Sequence, residues 1–163
     1  MEPEDEETLL AQWNDPDVRR FLFDDRPVSR AAVREQIARS RSTFAREGFG
    51  LLTLRLRERP AESIGFAGLA RLGERPEVEL LFALLPAFRG QGLATEAARA
   101  VLRLGFEEAA LDEVLAGADP PNLASFRVME RLGMTFARDE EVGGRPVRYH
   151  RLARAAFLGE RAT

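Results

Sequence analysis

Leu84-Leu85-Pro86-Ala87-Phe88-Arg89-Gly90-Gln91-Gly92-Leu93-Ala94-Thr95-Glu96-Ala97 joins an apolar run, Val78 to Leu85, to a long helical run from about Leu93 to Ala109 or Ala110. Pro86 removes a backbone donor at the end of the strand and discourages continued pairing. Gly90 and Gly92 place main chain without side chains just before the helix. Unsatisfied N–H groups and the positive end of the macrodipole gather there. A polyanion can come close to such a helix start, and Arg89 adds a full positive charge beside it. A pyrophosphate is the natural occupant.

Other loops of this general kind fit less well. The lysine-dependent phosphate loop is excluded, because the 24 basic side chains are all arginine. The dinucleotide fingerprint comes closer: Gly90-x-Gly92 is present, and Asp112 stands about 20 residues on, where a ribose-binding acid is expected. Its third glycine position holds Thr95, the glycines do not follow the strand directly, and the strands before them read as antiparallel rather than βαβ. A plain turn that needs glycines is the remaining alternative.

Working upstream, Ser63 to Leu72 reads as a strand, and so does Gly50 to Arg57, with Leu52, Leu54 and Leu56 alternating. Turns are expected at Arg59-Pro60 and around Gly73 to Pro76, so three consecutive strands should run antiparallel. The first 48 residues read as helical. Leu9, Leu10 and Trp13 form one stripe, Pro16 opens a short helix with Val18, Phe21 and Leu22, and Ser29 caps a helix that stops at Gly48. Val33, Ile37 and Phe44 should share one of its sides. Downstream, Asp112 to Ala118 is a strand candidate, and Asn122 caps a helix to Leu132 with Gly133 as its stop. Met134 to Glu141 and Arg145 to Leu152 form a hairpin across Gly143-Gly144. With no repeat, low-complexity tract or long linker, residues 1–163 read as a single α/β domain, one mixed sheet with helices on both faces.

The composition narrows the chemistry. With no cysteine and one histidine, His150, the chain can build neither a zinc–thiolate site, a multi-histidine metal site nor a cysteine nucleophile. His150 sits in an alternating segment and reads as a strand residue. A net charge of −3 is too weakly acidic to suggest nucleic-acid binding. No stretch approaches the roughly 20 apolar residues of a membrane span. The acidic start, Glu2 to Glu7, is unlike a secretory signal, so a cytoplasmic protein is expected. The arginine-only usage reads as codon bias more readily than as global phosphate recognition, so each arginine needs a local argument.

Arg89-x-x-Gly92-x-Ala94 resembles the acetyl-CoA motif of the GNAT superfamily of N-acetyltransferases, Arg/Gln-x-x-Gly-x-Gly/Ala. The run Leu84 to Ala97, together with Asn122-Leu123-Ala124-Ser125-Phe126-Arg127-Val128-Met129-Glu130-Arg131-Leu132-Gly133-Met134, resembles the RimJ/RimL branch. The likeness extends over nearly the whole chain from Thr8. It implies direct transfer of the acetyl group of acetyl-CoA to a primary amine, with no metal. It further implies that the strand ending at Leu84 splays from a parallel neighbour. The main chain of Phe82, Ala83 and Leu84 would bind pantetheine in that gap, and the loop Arg89, Gly90, Gln91, Gly92, Leu93, Ala94 and Thr95 would hold the phosphates.

An ammonium must lose a proton before it attacks a thioester, and the departing thiolate must gain one. Glu79, alone among Val78, Leu80, Leu81 and Phe82, is the candidate base. The matching family position often bears one, and the competing reading is a solvent-exposed strand start. Asn122 and Ser125 are candidate cofactor contacts, with Ser125 also a candidate donor to the thiolate. Helix capping is the competing role for both. Many family members carry a tyrosine acid where this chain has Met129, and a strand carboxylate where it has Gly117, so the acid stays open between Ser125 and water.

Only Met1-Glu2-Pro3 precede the first helix, where the family usually has a strand. The Gly50–Arg57 strand is therefore expected at an open edge, through truncation or with a partner chain covering it, as in a homodimer. The acceptor should sit between the early helices and the C-terminal hairpin. Arg20, Phe21 and Asp24 border that side, though surface or packing roles suit each. A protein N-terminus, an amino acid, a polyamine or an antibiotic would each serve. The rival reading is a non-catalytic acyl-CoA sensor that keeps the cradle without a working acid–base pair.

Overall fold

The computed structural model describes residues 1–23, 25–73 and 75–159; Asp24 lies outside them. Six strands form one sheet: β1 (Leu51–Leu56), β2 (Arg59–Ala70), β3 (Glu79–Leu84), β4 (Glu113–Ala118), β5 (Thr135–Val142) and β6 (Arg145–Ala153), in the spatial order β1-β2-β3-β4-β6-β5. Every neighbouring pair is antiparallel except β3 and β4. The helices are α1 (Glu6–Asn14), α2 (Pro16–Leu22), α3 (Arg30–Glu47), α4 (Leu93–Arg103), α5 (Leu123–Arg131) and α6 (Arg154–Gly159).

Alternation along the strands gives each face its own core. Leu51, Phe66, Leu81 and Ala83 pack against Leu9, Trp13, Val33 and Ile37 of α1 and α3. On the opposite face, Leu69, Leu80, Val114, Ala116 and Leu152 pack against α4, α5 and α6 through Val101, Leu102, Met129 and Phe157. Ser29 caps α3 by accepting from the Ala32 N–H, and Gly48 closes it at φ 77°. Of the side expected to hold Val33, Ile37 and Phe44, the first two are buried and Phe44 is exposed; Ser40 is buried, its hydroxyl serving the neighbouring strand. Ser40 Oγ accepts from the Leu51 N–H (2.7 Å) and donates to the Leu51 carbonyl (3.1 Å).

That contact covers part of the sheet edge. Among the described residues no strand precedes the helices, and β1 forms the edge as expected. The Met1 ammonium donates to the same Leu51 carbonyl, and Asp5 accepts from Thr53 Oγ1 and pairs with Arg55. Register shifts between Leu54 and Leu56 further irregularise the edge.

Some boundaries differ from the sequence reading. The first hairpin turns at Arg57-Glu58, and Arg59-Pro60 begin β2. A proline is tolerated there because the first residues of a strand need not donate to a ladder. The run after Leu93 keeps α-helical bonding only to Arg103 and continues as a π-helical turn, Leu104–Glu108, with the Ala109 N–H donating to the Leu104 carbonyl. A Cβ at Gly105 would stand 2.5 Å from Leu69 Cδ1, so glycine lets this turn lie directly on the sheet. α6 was not expected; it closes the core by setting Phe157 against Phe106 at 5.2 Å between ring centroids. No helix among the described residues is long and apolar enough to cross a membrane.

Candidate active site

β3 and β4 meet only at Glu79 and Leu115, where the Leu115 N–H donates to the Val78 carbonyl (2.9 Å). Beyond that point the two parallel strands diverge. The gap opens into a cleft of about 380 Å³, lined by Leu80 to Leu84 on one side and Gly117 and Ala118 on the other. Main-chain groups alternate along a strand, and the Val78 and Leu84 carbonyls both point away from β2. Phe82 and Leu84 therefore face the gap, while Ala83 turns its own N–H and C=O towards β2 and lines the cleft without offering a hydrogen bond.

At the mouth of this gap stands the start of α4. Its N-cap is Gly92, in the left-handed region at φ 81° and without a capping side chain; Gly90 has φ 75°. Positive φ requires glycine at both positions, and the space before each is open, with nothing within 4 Å of a built Cβ. The first bond of the helix runs from the Glu96 N–H to the Gly92 carbonyl. Among the described residues the N–H groups of residues 90 to 95 have no partner. The Thr95 hydroxyl, buried on the cleft side, has none either. Six unpartnered N–H donors and an orphaned hydroxyl thus gather at a helix N-terminus, beside open space at Gly90 and Gly92.

Arg89 lines the cleft and is held in place by two carbonyls. Its Nε donates to the Leu84 carbonyl (2.9 Å) and its Nη2 to the Asp17 carbonyl (3.2 Å), so the side chain ties the loop to α2 across the cleft. Gln91 turns its amide back onto the Ala87 carbonyl and does not line the cleft; only its backbone is available. Leu93 and Ala94 line the cleft and also pack on the Ile64, Leu84 and Phe88 cluster that anchors the loop.

Across the gap, Asn122 Oδ1 accepts from the Ser125 N–H (3.2 Å), which makes it the N-cap of α5. The cap uses only the amide oxygen, so Asn122 Nδ2 and Ser125 Oγ are both left to the cleft that these residues line. Met129 fills the tyrosine position as a buried core residue whose edge reaches the cleft. Gly117 has a local reason to lack a carboxylate: a Cβ there would lie 2.7 Å from Tyr149 Cε1 and 2.9 Å from Val147 Cγ1. The Tyr149 ring takes that space.

Glu79 is buried, with 4% of its surface exposed, which removes the solvent-exposed reading. It sits at the apex, one residue before the lining begins. It alternates with Leu81 and Ala83 onto the α1–α3 face, the side on which Asp17, Val18, Phe21 and Leu22 of α2 complete the cleft. Burial pushes its carboxyl above the ordinary range, against the pull of Arg75 and Arg138. Those guanidinium groups are engaged elsewhere, Arg75 with Glu140 and Arg138 with Glu140 and Glu77. Tyr149 feels the same burial and the nearby Glu79, and its hydroxyl is also pushed up.

The structure thus gathers Phe82, Ala83, Leu84, Arg89, Gly90, Gly92, Leu93, Ala94, Thr95, Asn122 and Ser125 around one cleft, with Glu79 at its root and Gln91 outside. Arg20 stacks over the Phe21 ring at 5.1 Å and stays out of the cleft; Phe21 lines it. His150 packs against Phe126 and Phe136, and burial lowers its pKa. Arg127 and Arg131 of the α5 wall carry no role in the sequence analysis; their spacing of four on one helix is the available signal. Among the described residues no group of three or more histidine, aspartate or glutamate side chains could hold a metal ion.

Known proteins resemble this chain in sequence or in fold. YkkB of Bacillus subtilis (strain 168) is 30% identical over 154 residues, which covers 90% of this chain and 86% of that protein. The aminoglycoside acetyltransferase AAC(6')-Ib, solved with coenzyme A, superposes with a TM-score of 0.79 at 21% identity, over 99% of this chain and 96% of that one. The spermidine N-acetyltransferase of Vibrio cholerae, solved with coenzyme A and spermine, gives 0.78 at 15% identity, over 97% and 95%. Residues 1–135, which hold the divergent strands, the unpaired loop and α5, match the acetyltransferase (GNAT) domain, and this chain belongs to that family.

Proposed function

We propose that this protein transfers the acetyl group of acetyl-CoA directly to a primary amine, the whole chain 1–163 acting as one cytoplasmic N-acetyltransferase domain. The observation that carries this reading is the row of unpartnered N–H groups from residue 90 to 95, with the orphaned Thr95 hydroxyl, at the mouth of a gap between parallel strands. The diphosphate of coenzyme A fits such a row, and its pantetheine arm fits the gap, where Phe82 and Leu84 main chain and Asn122 Nδ2 supply polar contacts.

In the transfer, the amine nitrogen attacks the thioester carbonyl carbon; a C–N bond forms and the C–S bond breaks. Glu79 accepts the proton that the ammonium loses, and burial, which raises its pKa, makes it a stronger base for that task. An N–H of the splayed strand near Leu84 faces the carbonyl oxygen as charge develops there. Attack leaves the nitrogen positively charged; it gives up its second proton as the C–S bond breaks, and that proton replaces the one that Ser125 Oγ or water passes to the departing thiolate. The fold neighbours named for aminoglycosides and spermidine make a small polyamine or amino sugar a reasonable first acceptor to assay, beside a peptide α-amine.

The test is thiol release from acetyl-CoA in the presence of a panel of amines, read against amine-free controls. Amine-dependent release with acetylated product is the expected result. Tight coenzyme A binding without turnover on any amine would instead support the sensor reading, which the absence of a tyrosine acid at Met129 favours.

A further inference from the structure

Arg127 and Arg131 lie four residues apart on α5, so both side chains leave the same helix face. That face, with Ala124 and Val128, lines the cleft. Among the described residues neither guanidinium has a hydrogen bond or an ion pair. The bond recorded at Arg131 is accepted by its carbonyl from Arg99 Nη2 of α4, at 2.9 Å. It ties the last turn of α5 to the side chain of Arg99, which stands four residues past Thr95 on α4, about 6 Å along that helix. Glu130, between the two arginines, acts on His150 at the sheet instead. The chain does neutralise arginines elsewhere: Arg138, Arg145, Arg148, Arg151 and Arg154 of β5, β6 and α6 each pair with a carboxylate. Two uncompensated forks on a cleft wall, close to a row of free N–H groups, form a place for an anion additional to the one those N–H groups hold.

We propose that Arg127 and Arg131 form a second phosphate subsite, which takes the ribose 3′-phosphate of coenzyme A and sets it apart from carriers lacking that group. This rests on reading the cleft as the coenzyme A site. A diphosphate on the α4 amides leaves the nucleotide end of the carrier at the α4–α5 junction. A monoester dianion there meets two planar donors rather than open solvent.

Isothermal titration with coenzyme A and with dephospho-coenzyme A, identical but for that phosphate, tests the assignment. The native protein should bind coenzyme A about tenfold more tightly, a preference that shrinks as salt is raised. In the double variant Arg127→Gln/Arg131→Gln the two affinities should converge to within about twofold, with dephospho-coenzyme A bound as by the native protein; that retained binding also reports an intact fold. Equal binding of the two carriers by the native protein, or equal proportional losses in the variant, would overturn the subsite and leave the cleft reading standing. Failure of the native protein to bind either carrier would overturn both.

Discussion

Glu79 is held by two opposed effects. Burial disfavours its charged form, while Arg75 and Arg138 favour it, and burial wins because both guanidinium groups are already shared with Glu140 and Glu77. The stability consequence has a definite sign. A carboxyl whose folded pKa is raised stabilises the fold only while protonated, and that contribution is lost as pH rises through the folded value. Glu79→Gln should therefore melt higher than the native protein at about pH 8 and match it near pH 4, where both carry a neutral side chain. The same substitution should lower kcat by about 10²-fold and abolish the acidic limb of the rate profile, which in the native protein lies above the ordinary carboxylate range of about 4.3. Thermal melts and pH–rate profiles of the two proteins check both outcomes; a variant less stable and equally active would assign Glu79 a packing role. The isolation of this carboxylate in an apolar strand was legible in the sequence. Its burial was not, because it depends on Tyr149 and Arg138 from a hairpin some 60 to 70 residues away.

The elements were legible where one local signal decides them. Ser29 and Gly48 bracket α3, Asn122 and Gly133 bracket α5, and the alternating leucines mark β1. Legibility failed where a partner element decides. The π-helical turn after α4 follows from how closely Gly105 approaches Leu69, and Gly117 is shaped by the Tyr149 ring; neither neighbour is near in sequence. The charge of Arg89 beside the loop is legible in the sequence; its anchorage is not, because the carbonyls that hold it come from α2 and the end of β3. The join between α3 and β1 has the same character, since the Leu51 N–H is satisfied by the Ser40 hydroxyl rather than by a strand. Ser40→Ala leaves that buried donor unpaired, at a cost of roughly 1–3 kcal/mol, and should lower the melting temperature by roughly 3–10 °C. An unchanged melting temperature would mean that the β1 edge is not secured by α3.

Across the whole molecule, strand order does what no single residue can. Antiparallel pairing on both flanks leaves one parallel junction in the sheet, and its divergence after Glu79 and Leu115 supplies a gap that α4 and α5 flank with free N–H groups and arginines. A second, smaller cavity of about 210 Å³ lies between α3 and the β1–β2 pair, lined by Arg39, Arg46 and Arg71, the last paired with Glu47, so an anion has a second arginine-lined place to choose. The backbone amide spectrum of isotopically labelled protein during titration with coenzyme A distinguishes them directly. The largest shifts should fall on Gly90, Gly92, Leu93, Ala94 and Thr95, with smaller ones along β3 and α5. Shifts confined to the cavity beside α3, or a spectrum in which residues 90 to 95 do not respond, would contradict a coenzyme A site at the start of α4.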